Sequence, residues 1–576
     1  MILTLIIFFD YGLLWFARKN LGGPRNLEIH LGTTALLILA NSIFLFTRSN
    51  RFRKAEQSFY AVSSRTLNPI ARFVLSNSLP IFVLVLASGV IVRLNMISTY
   101  PIDYRSADML PIIKSAITAF LSGDNPYQVY NLPGPVPLGY FPLLWMSYIP
   151  AVVLRLDLRI VGLIICTAIF FVFWNESRRL KGTIGSKPLE ALLAFFLGIV
   201  FFLSPYLIFF TATGHPYPYW LFLTFFLYFL QNDRLTLAAV FLGLAISTRQ
   251  PATILVPFFL IYLFKNFPRR ECFRCLLLLI LSSAFLVLPF LLADPKAFLL
   301  NPFHYVQPEW SGSRAAILGS VGLTNIFYYL GISRFLPLVQ AVALILFSWL
   351  ALFKVRDKVS LFVYSGLAVF LYNSFLFYIP SHYFYIPALI ILSFAAMVNL
   401  LRTEPVTSPP PLAVKKFLGS MSVTIAPVFM LFLFFADVRG LLTHDQIVLR
   451  RGFHETEKNN EGFTFNWVVG HVGVAAIPAS VTDIIFGRNR VVSFEAVPFH
   501  YPNGPPQDME ILVNDQELTT IRMKSAWKRY HLSIPAKFFN VGCNKIEFYF
   551  TYAASPSQFR DTKDRRQLAA AFHFLK

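Results

Sequence analysis

The sequence predicts a polytopic α-helical membrane protein of about 13 spans that ends in an extracytoplasmic β-sandwich. Three observations carry this. First, the 576 residues are 56% hydrophobic, 16% aromatic and 14% charged, with a mean hydropathy of +0.59, whereas a soluble globular chain is about 25% charged. Second, apolar runs near the length needed to cross a bilayer, roughly 17–25 residues, recur along most of the chain. Third, beyond residue 440 these runs stop and short alternating segments take over.

The candidate spans, in order, are 2–17, 29–47, 79–98, 158–175, 190–211, 217–231, 235–248, 251–266, 274–293, 335–355, 360–379, 382–401 and 417–436. The first carries Asp10 and has no small-residue cleavage site, so it reads as a retained span and not a signal peptide. Basic clusters between spans set the orientation: Arg48 to Arg72, Arg178 to Lys187, Lys265 to Arg274, Lys354 to Lys358, and Lys415 with Lys416 are expected on the cytoplasmic side. Residues 141–154, FPLLWMSYIPAVVL, resemble a span but are short and interrupted by Pro150. Treating them as interfacial keeps every later cluster cytoplasmic, with the N-terminus in and the C-terminus out. Only Arg18, Lys19 and Arg25 fall on the wrong side. Three regions follow: 1–78 as an N-terminal membrane extension, 79–439 as the main membrane domain with an outer loop at 99–157, and 440–576 as the sandwich.

Within the outer loop, Ile112, Ile113, Ala116, Ile117, Phe120 and Leu121 recur at helical spacing, opposite Lys114, Ser115, Thr118 and Ser122. The spacing predicts a helix lying along the membrane surface, stopped at Gly123 with Pro126 beyond. In the tail, VVSFEAV, MEILVND, YHLSIPA and NKIEFYFTY read as strands, and Asn514-Asp515 supplies a hairpin turn.

The formal net charge of +21 sits in these inter-span clusters without a recognition motif, so nucleic-acid binding is not expected. Cys272 and Cys275 form a C-x-x-C with no second pair to complete a zinc site, and read as packing residues, while Cys166 lies in a span and Cys543 in the tail. No hydrolase elbow, phosphate loop or zinc-protease motif accompanies them.

Chemistry-bearing residues gather instead at the predicted outer surface. Asp103 and Asp108 lie just past the third span and are candidate general bases; the plain alternative is a solvated loop residue for Asp103 and a helix N-cap for Asp108. Arg93, His215 in TGHPYPYW, Arg249 in ISTRQPA, and His382 with Tyr383 in SHYFYIPA fall at outer span ends. There they are placed to meet a lipid phosphate, with snorkelling the ordinary alternative. Asn125, Tyr127, Tyr140, His304 and Arg314 come from the neighbouring loops as candidate cavity residues. In the tail, Trp467 and Trp527 are candidates for stacking sugar rings, against the bland reading that such aromatics are core.

The order Asp108, then Gly123-Asp124-Asn125-Pro126-Tyr127, then Tyr140-Phe141-Pro142-Leu143, resembles the GT-C superfamily of membrane glycosyltransferases. It is most similar to the family 87 polyprenol-phosphate-mannose-dependent mannosyltransferases. GLAISTRQPATILVP, with Gly243, Arg249 and Pro251, is similar to a GT-C step usually written with Lys, and His382-Tyr383-Phe384 resembles a late outer-edge motif. The likeness spans 79–400.

It implies a GT-C-like fold in a bacterial inner membrane and an inverting transfer on the extracytoplasmic face. A sugar, mannose or another hexose, would move from a polyprenyl-phosphate carrier to a glycan, lipid or protein acceptor. Asp108, or Asp103, would be the base; Arg249 and His382 would meet the leaving phosphate. Relatives carry paired carboxylates that this chain lacks, which leaves a divalent metal as the open cofactor question. The tail resembles jelly-roll-like modules appended to envelope transferases. A ligase or polymerase using a diphosphate carrier, a lipid-linked sugar flippase or transporter, and an envelope scaffold remain as other readings. The flippase would want polar residues at the bilayer midplane and paired broken helices.

Overall fold

The computed structural model describes residues 2–19, 26–46, 68–99, 109–131, 135–183, 188–304, 322–324, 327, 335–375, 385–401, 448–449, 452–458, 463–479, 489–502, 504–514, 516–538, 542–559, 562 and 564–574. The chain divides into two compact units. One is Met1–Arg93 with Pro101–Phe434, and the other is Leu94–Tyr100 with Phe435–Lys576. The first is helical and the second holds the C-terminal β-sheets.

The helices are α1 Ile2–Lys19, α2 Asn26–Ser42, α3 Ser78–Thr99, α4 Met109–Leu121, α5 Pro142–Met146, α6 Ile149–Val153, α7 Arg159–Thr183, α8 Pro188–Leu203 and α9 Pro205–Thr213. They continue as α10 Tyr217–Gln231, α11 Leu235–Ile246, α12 Leu255–Asn266, α13 Arg269–Ala293, α14 Pro295–His304, α15 Leu336–Lys354, α16 Lys358–Ser374 and α17 Ile386–Leu401. Among the described residues, four helices are long and apolar enough to cross a membrane: Ser78–Ser98, Arg159–Arg179, Arg269–Ala293 and Leu336–Lys354. The α8–α9 pair makes a fifth if its 41° bend is counted within one span.

Several expected spans are therefore shorter or broken. The run 190–211 bends at Ser204-Pro205, and 251–266 opens with a 3-10 turn at Gln250–Ile254 before α12. Proline is the cause in both, since it lacks the N–H that would continue the ladder. The span expected at 417–436 lies outside the described residues. The stretch 141–154 forms two five-residue helices, α5 and α6, each far shorter than the roughly 17–25 residues a span needs.

The amphipathic helix forms as the spacing predicts, but its apolar face meets protein. Ile112, Ile113, Ala116 and Ile117 are buried in one cluster with Tyr127, Tyr140, Trp145, Tyr148 and Phe298, while Lys114 and Thr118 stay exposed. A period of 3.6 says only that one face is covered, not whether lipid or protein covers it. Gly123 ends the helix at φ +86°, and the Asp124 N–H donates to Ala119 O (2.9 Å) while the Gly123 N–H donates to Phe120 O (3.1 Å). This is a Schellman motif, which needs the left-handed conformation that glycine takes at no steric cost.

Helix α11 packs closely on α13. A Cβ at Gly243 would stand 2.6 Å from the Leu279 carbonyl oxygen and also against Ser282 Oγ. Small residues let apolar helices approach in this way.

In the second unit, antiparallel strands form two sheets of five, ordered β10-β7-β12-β5-β4 and β3-β6-β11-β8-β9. The strands are β3 Val448–Leu449, β4 Phe453–Lys458, β5 Thr464–Val469, β6 Val472–Ala479, β7 Arg490–Pro498, β8 Asp508–Val513, β9 Gln516–Arg522, β10 Lys528–Ile534, β11 Gly542–Phe550 and β12 Leu568–Phe574. Phe494 and Phe572 of the first sheet pack on Phe548 of the second, with ring centroids 5.7 and 5.1 Å apart. Val513 pairs with Gln516 across the expected hairpin, with Asn514 at φ +50°. A small β-ribbon, β1 Val129–Asn131 with β2 Pro135–Pro137, belongs to the helical unit.

At the edge of the first sheet, Arg566 bridges Asp564 (2.7 Å) and Glu457 (2.5 Å). Its hydrogen bonds hold the Asp564 carboxyl below the usual carboxylate range.

Two outcomes follow. Gly243→Ala lowers the thermal midpoint of the detergent-solubilised chain, at a cost of about 1–3 kcal/mol. Adding Ser282→Ala does not restore it, because the Leu279 carbonyl remains. Asp564's depressed value means its stabilisation is full above about pH 4 and is lost as pH falls through the folded value. Near-UV melting curves should therefore show wild type and Arg566→Gln separated at neutral pH and converging in acid. Parallel curves would remove the linkage.

Candidate functional site

Helix breaks build this site. Pro251 has no N–H to give the carbonyl four residues back, so Ser247 O is released at the C-terminus of α11. It accepts instead from the Leu143 N–H (3.0 Å), one of the orphan donors in the first turn of α5. That bond joins the Tyr140–Leu143 step to the Arg249 turn. Arg249 itself takes extended backbone (φ −151°, ψ 138°) as cap of the 3-10 turn.

A second break separates α9 from α10 at Gly214-His215-Pro216. Tyr148 OH donates to the His215 carbonyl (2.8 Å), and Arg159 donates to Ala212 O (3.4 Å) while clasping Asp157 (2.6 Å). These bonds fix the His215 ring against Tyr140, centroid to centroid 4.7 Å, and the Arg249 guanidinium carbon lies 5.6 Å from the same Tyr140 ring. Tyr140 and His215 are buried; Arg249 is half-buried. Tyr219, in the first turn of α10, is within electrostatic reach of Arg249, and its buried hydroxyl has no hydrogen-bond partner among the described residues.

The Gly123–Tyr127 turn closes the arrangement. Asn125 Oδ1 accepts the Tyr127 N–H (2.9 Å), and Asn125 Nδ2 donates to Asp294 (3.2 Å) at the head of α14. Tyr127 OH donates to Tyr140 O (2.9 Å), and Trp145 Nε1 to Tyr127 OH (3.4 Å). Tyr127 thus supports Tyr140, which in turn lies beside the histidine and the arginine.

Of the expected site residues, Asn125, Tyr127, Tyr140, His215 and Arg249 are therefore brought together. Arg93 has another task. It is fully buried and donates to Thr211 Oγ1 (3.1 Å), Gly89 O (3.2 Å) and Phe202 O (2.5 Å), with its guanidinium carbon 4.4 Å from the Phe202 ring centroid. It satisfies the last-turn carbonyl that the α8–α9 bend leaves open, a packing role within these contacts. Asp103, Asp108, Arg314, His382, Tyr383 and the His304 side chain lie outside the described residues. Sequence reasoning missed Tyr148, Asp157, Arg159, Tyr219 and Asp294. The signal for Tyr148 and Arg159 was the proline-marked break itself, whose freed carbonyls need donors, and Asp157 is the acceptor that orients Arg159.

Among the described residues, no group of three or more His, Cys, Asp or Glu is placed to hold a metal ion. Asp124 of the turn is exposed, and the Asp294 carboxylate beside the turn is engaged by Asn125 and by the Ala297 N–H (2.9 Å). The arrangement can receive an anion. It offers one guanidinium, one imidazole and one phenol on a rigid aromatic floor.

The far end of the bundle differs. Lys358 Nζ pairs with Asp233 (2.7 Å) and donates to Gln231 O (2.9 Å), the last residue of α10. Lys265 donates to the C-terminal carbonyls Leu352 O and Val355 O of α15. Lysines at helix C-termini offset the macrodipole. That end is roughly 20 Å from His215 along α10, at 1.5 Å per residue.

No protein-family model matches the chain, and no curated protein matches it. Among solved structures, a family 35 carbohydrate binding module from an environmental isolate is similar at 14% identity, covering 23% of this chain and 93% of that one, with a TM-score of 0.14. At that score the likeness carries no argument about this chain.

The two arginines separate experimentally. Arg93→Met leaves several buried acceptors open and costs about 2–5 kcal/mol. Arg249→Met, at a half-exposed position, costs well under that. Thermal midpoints of the two variants in the same detergent check the order.

Proposed function

We propose that the protein is an integral membrane glycosyltransferase of the GT-C type. It transfers a hexose from a polyprenyl-phosphate carrier to an envelope glycan, lipid or protein acceptor. One observation carries this reading: Tyr140, His215 and Arg249, from three segments far apart in sequence, converge at a single end of the bundle. The lysine-capped helix ends gather at the other. Under positive-inside topology the capped end is cytoplasmic, which supports an extracytoplasmic site in a bacterial plasma membrane.

In this mechanism the carrier phosphate is received by Arg249, with His215 and Tyr219 as neighbouring groups. A monoester phosphate leaves as an anion, so positive charge at its oxygens lowers the barrier without a protonating acid. Tyr140 and the Asn125–Asp294 clasp shape the wall beside it. The base that takes the acceptor hydroxyl proton is assigned to Asp108, or to Asp103, from the resemblance alone; Asp108 directly precedes α4, whose buried face packs with Tyr127 and Tyr140. Transfer by in-line attack on the opposite face inverts the anomeric centre. The full span count and the jelly-roll-like character of the tail are part of the same proposal.

The test is transfer by the full chain in proteoliposomes with polyprenyl-phosphate mannose and a labelled acceptor extract. Arg249→Ala should lower kcat/KM about 100-fold, and Asp108→Ala or Asp103→Ala should abolish turnover while leaving donor binding near wild type. Full turnover in both Asp variants would overturn the base assignment. Turnover with diphosphate-linked glycans and none with the monophosphate donor would replace the reading with a ligase. Donor movement across the bilayer without transfer would replace it with a flippase.

A further inference from the structure

The helical unit buries a carboxylate that the transfer chemistry does not use. Asp10, midway along α1, is fully buried, and α1 packs on α2, α8, α9 and α17. Its partner is Asn41, also buried, one residue before the end of α2. Asn41 Nδ2 donates to Asp10 Oδ2 (3.0 Å) and to Leu37 O (2.8 Å), which uses both hydrogens of the amide. Asp10 Oδ1 and Asn41 Oδ1 are left, each buried and without a hydrogen-bond partner among the described residues. The pair holds two stranded acceptors and no donor to spare.

Nothing cationic answers it. Of the helices packed on α1, α17 carries no ionisable side chain, α9 only Tyr206 and α8 only Glu190. On α1 and α2 themselves, Arg18, Lys19, Glu28 and His30 stand about 12 Å or more from the pair along the helix axes, at about 1.5 Å per residue. The ionisable neighbours are Tyr11 and, beyond it, the Cys166 thiol of α7, neither of which supplies positive charge. Arg93, a fully buried cation of the bundle, is committed to Thr211, Gly89 and Phe202. Among the described residues, no Lys, Arg or His pairs with Asp10. A bare carboxylate is costly in such surroundings, which leaves it a proton or a bound cation. Hard metal cations take about six or more oxygens, and only two are stranded here.

We propose that Asp10 and Asn41 form a proton-binding site in the α1–α2 hairpin. The carboxylate takes up one H+, an O–H bond forms on Oδ1, and the negative charge is lost. That hydrogen is the donor the pair lacks, and Asn41 Oδ1 is the acceptor waiting for one. An acid and an amide joined in this way present no net charge to the apolar bundle, so a proton, and not a metal cation, latches α2 to α1. Its loss strands an anion between the helices and parts the hairpin. This site stands apart from the transfer reading, since it uses none of that reading's residues and no donor lipid. The failure of either leaves the other standing.

The test is infrared difference spectroscopy of the full chain in neutral-lipid nanodiscs at neutral pH, in choline buffer with and without added sodium. Wild type is expected to show a carboxylic-acid C=O band that isotope-labelled aspartate shifts and that Asp10→Asn removes. Asn41→Leu should keep the band but move it to higher frequency, because the carboxyl loses both of its amide contacts. Sodium should leave it unchanged. Should Asp10→Asn not fold, the labelled wild type decides alone. Loss of a carboxylate band instead of an acid band in Asp10→Asn, or no acid band that follows the aspartate label, would overturn the proposal. An acid band that fades in proportion to added sodium would overturn it too, and would make the pair a sodium site.

Discussion

The hydrogen bond from the Leu143 N–H to Ser247 O is the constraint on which the site depends. A helix that stops inside an apolar bundle strands carbonyls at its end, and a helix that starts there strands N–H groups. Water is not at hand to accept either. Here the freed acceptor of α11 and the orphan donor of α5 answer one another, so the loop that brings Tyr140 and the turn that brings Arg249 are fastened through main chain. A main-chain bond of this kind survives side-chain variation on both sides. It leaves Arg249 and its neighbours to be chosen for chemistry.

The same need recurs at each break, and different side chains meet it. Arg93 serves the α8 end, Arg159 the α9 end and Tyr148 the carbonyl of His215. At the opposite end of the bundle, Lys265 and Lys358 cap α15 and α10. The two ends solve similar problems with different groups. Lysine caps are single charges beside helix ends. Arg159 and Tyr148 are buried and geometrically specific, and they hold a turn, His215, whose ring then faces a tyrosine and an arginine.

Much of this was legible in the residues. The amphipathic spacing of 112–121, the glycine stop at 123, the Asn514 hairpin and the alternation of the tail strands all have local causes, so local reading finds them. The gathering of Tyr140, His215 and Arg249 was legible too, because each lies at the end of an apolar run, and such ends share a surface. Helix lengths were not. A hydropathy run continues through Ser204-Pro205 and Pro251 although the ladder does not, which merged α8 with α9 and blurred the start of α12. Arg93 was placed with the lipid phosphate for the same reason. Depth along a span says that a charge must be satisfied, but only the bend beside Phe202 says by what. Asp103, Asp108, His382 and Tyr383 lie outside the described residues, so for them the sequence argument stands alone.

The tail follows a different logic. In the bundle, aromatics such as Trp145 and Trp220 are buried, and their surface is used up in packing. In the sandwich, the inward rings Phe453, Phe494, Phe548 and Phe572 already form a complete core between the sheets. A second set of rings does a different job: Trp467 and Tyr501 pack on buried Phe499 together with Ala554 and Leu568, and Phe559 stacks on Tyr501 (4.2 Å), which fastens the 554–559 segment to the sheet.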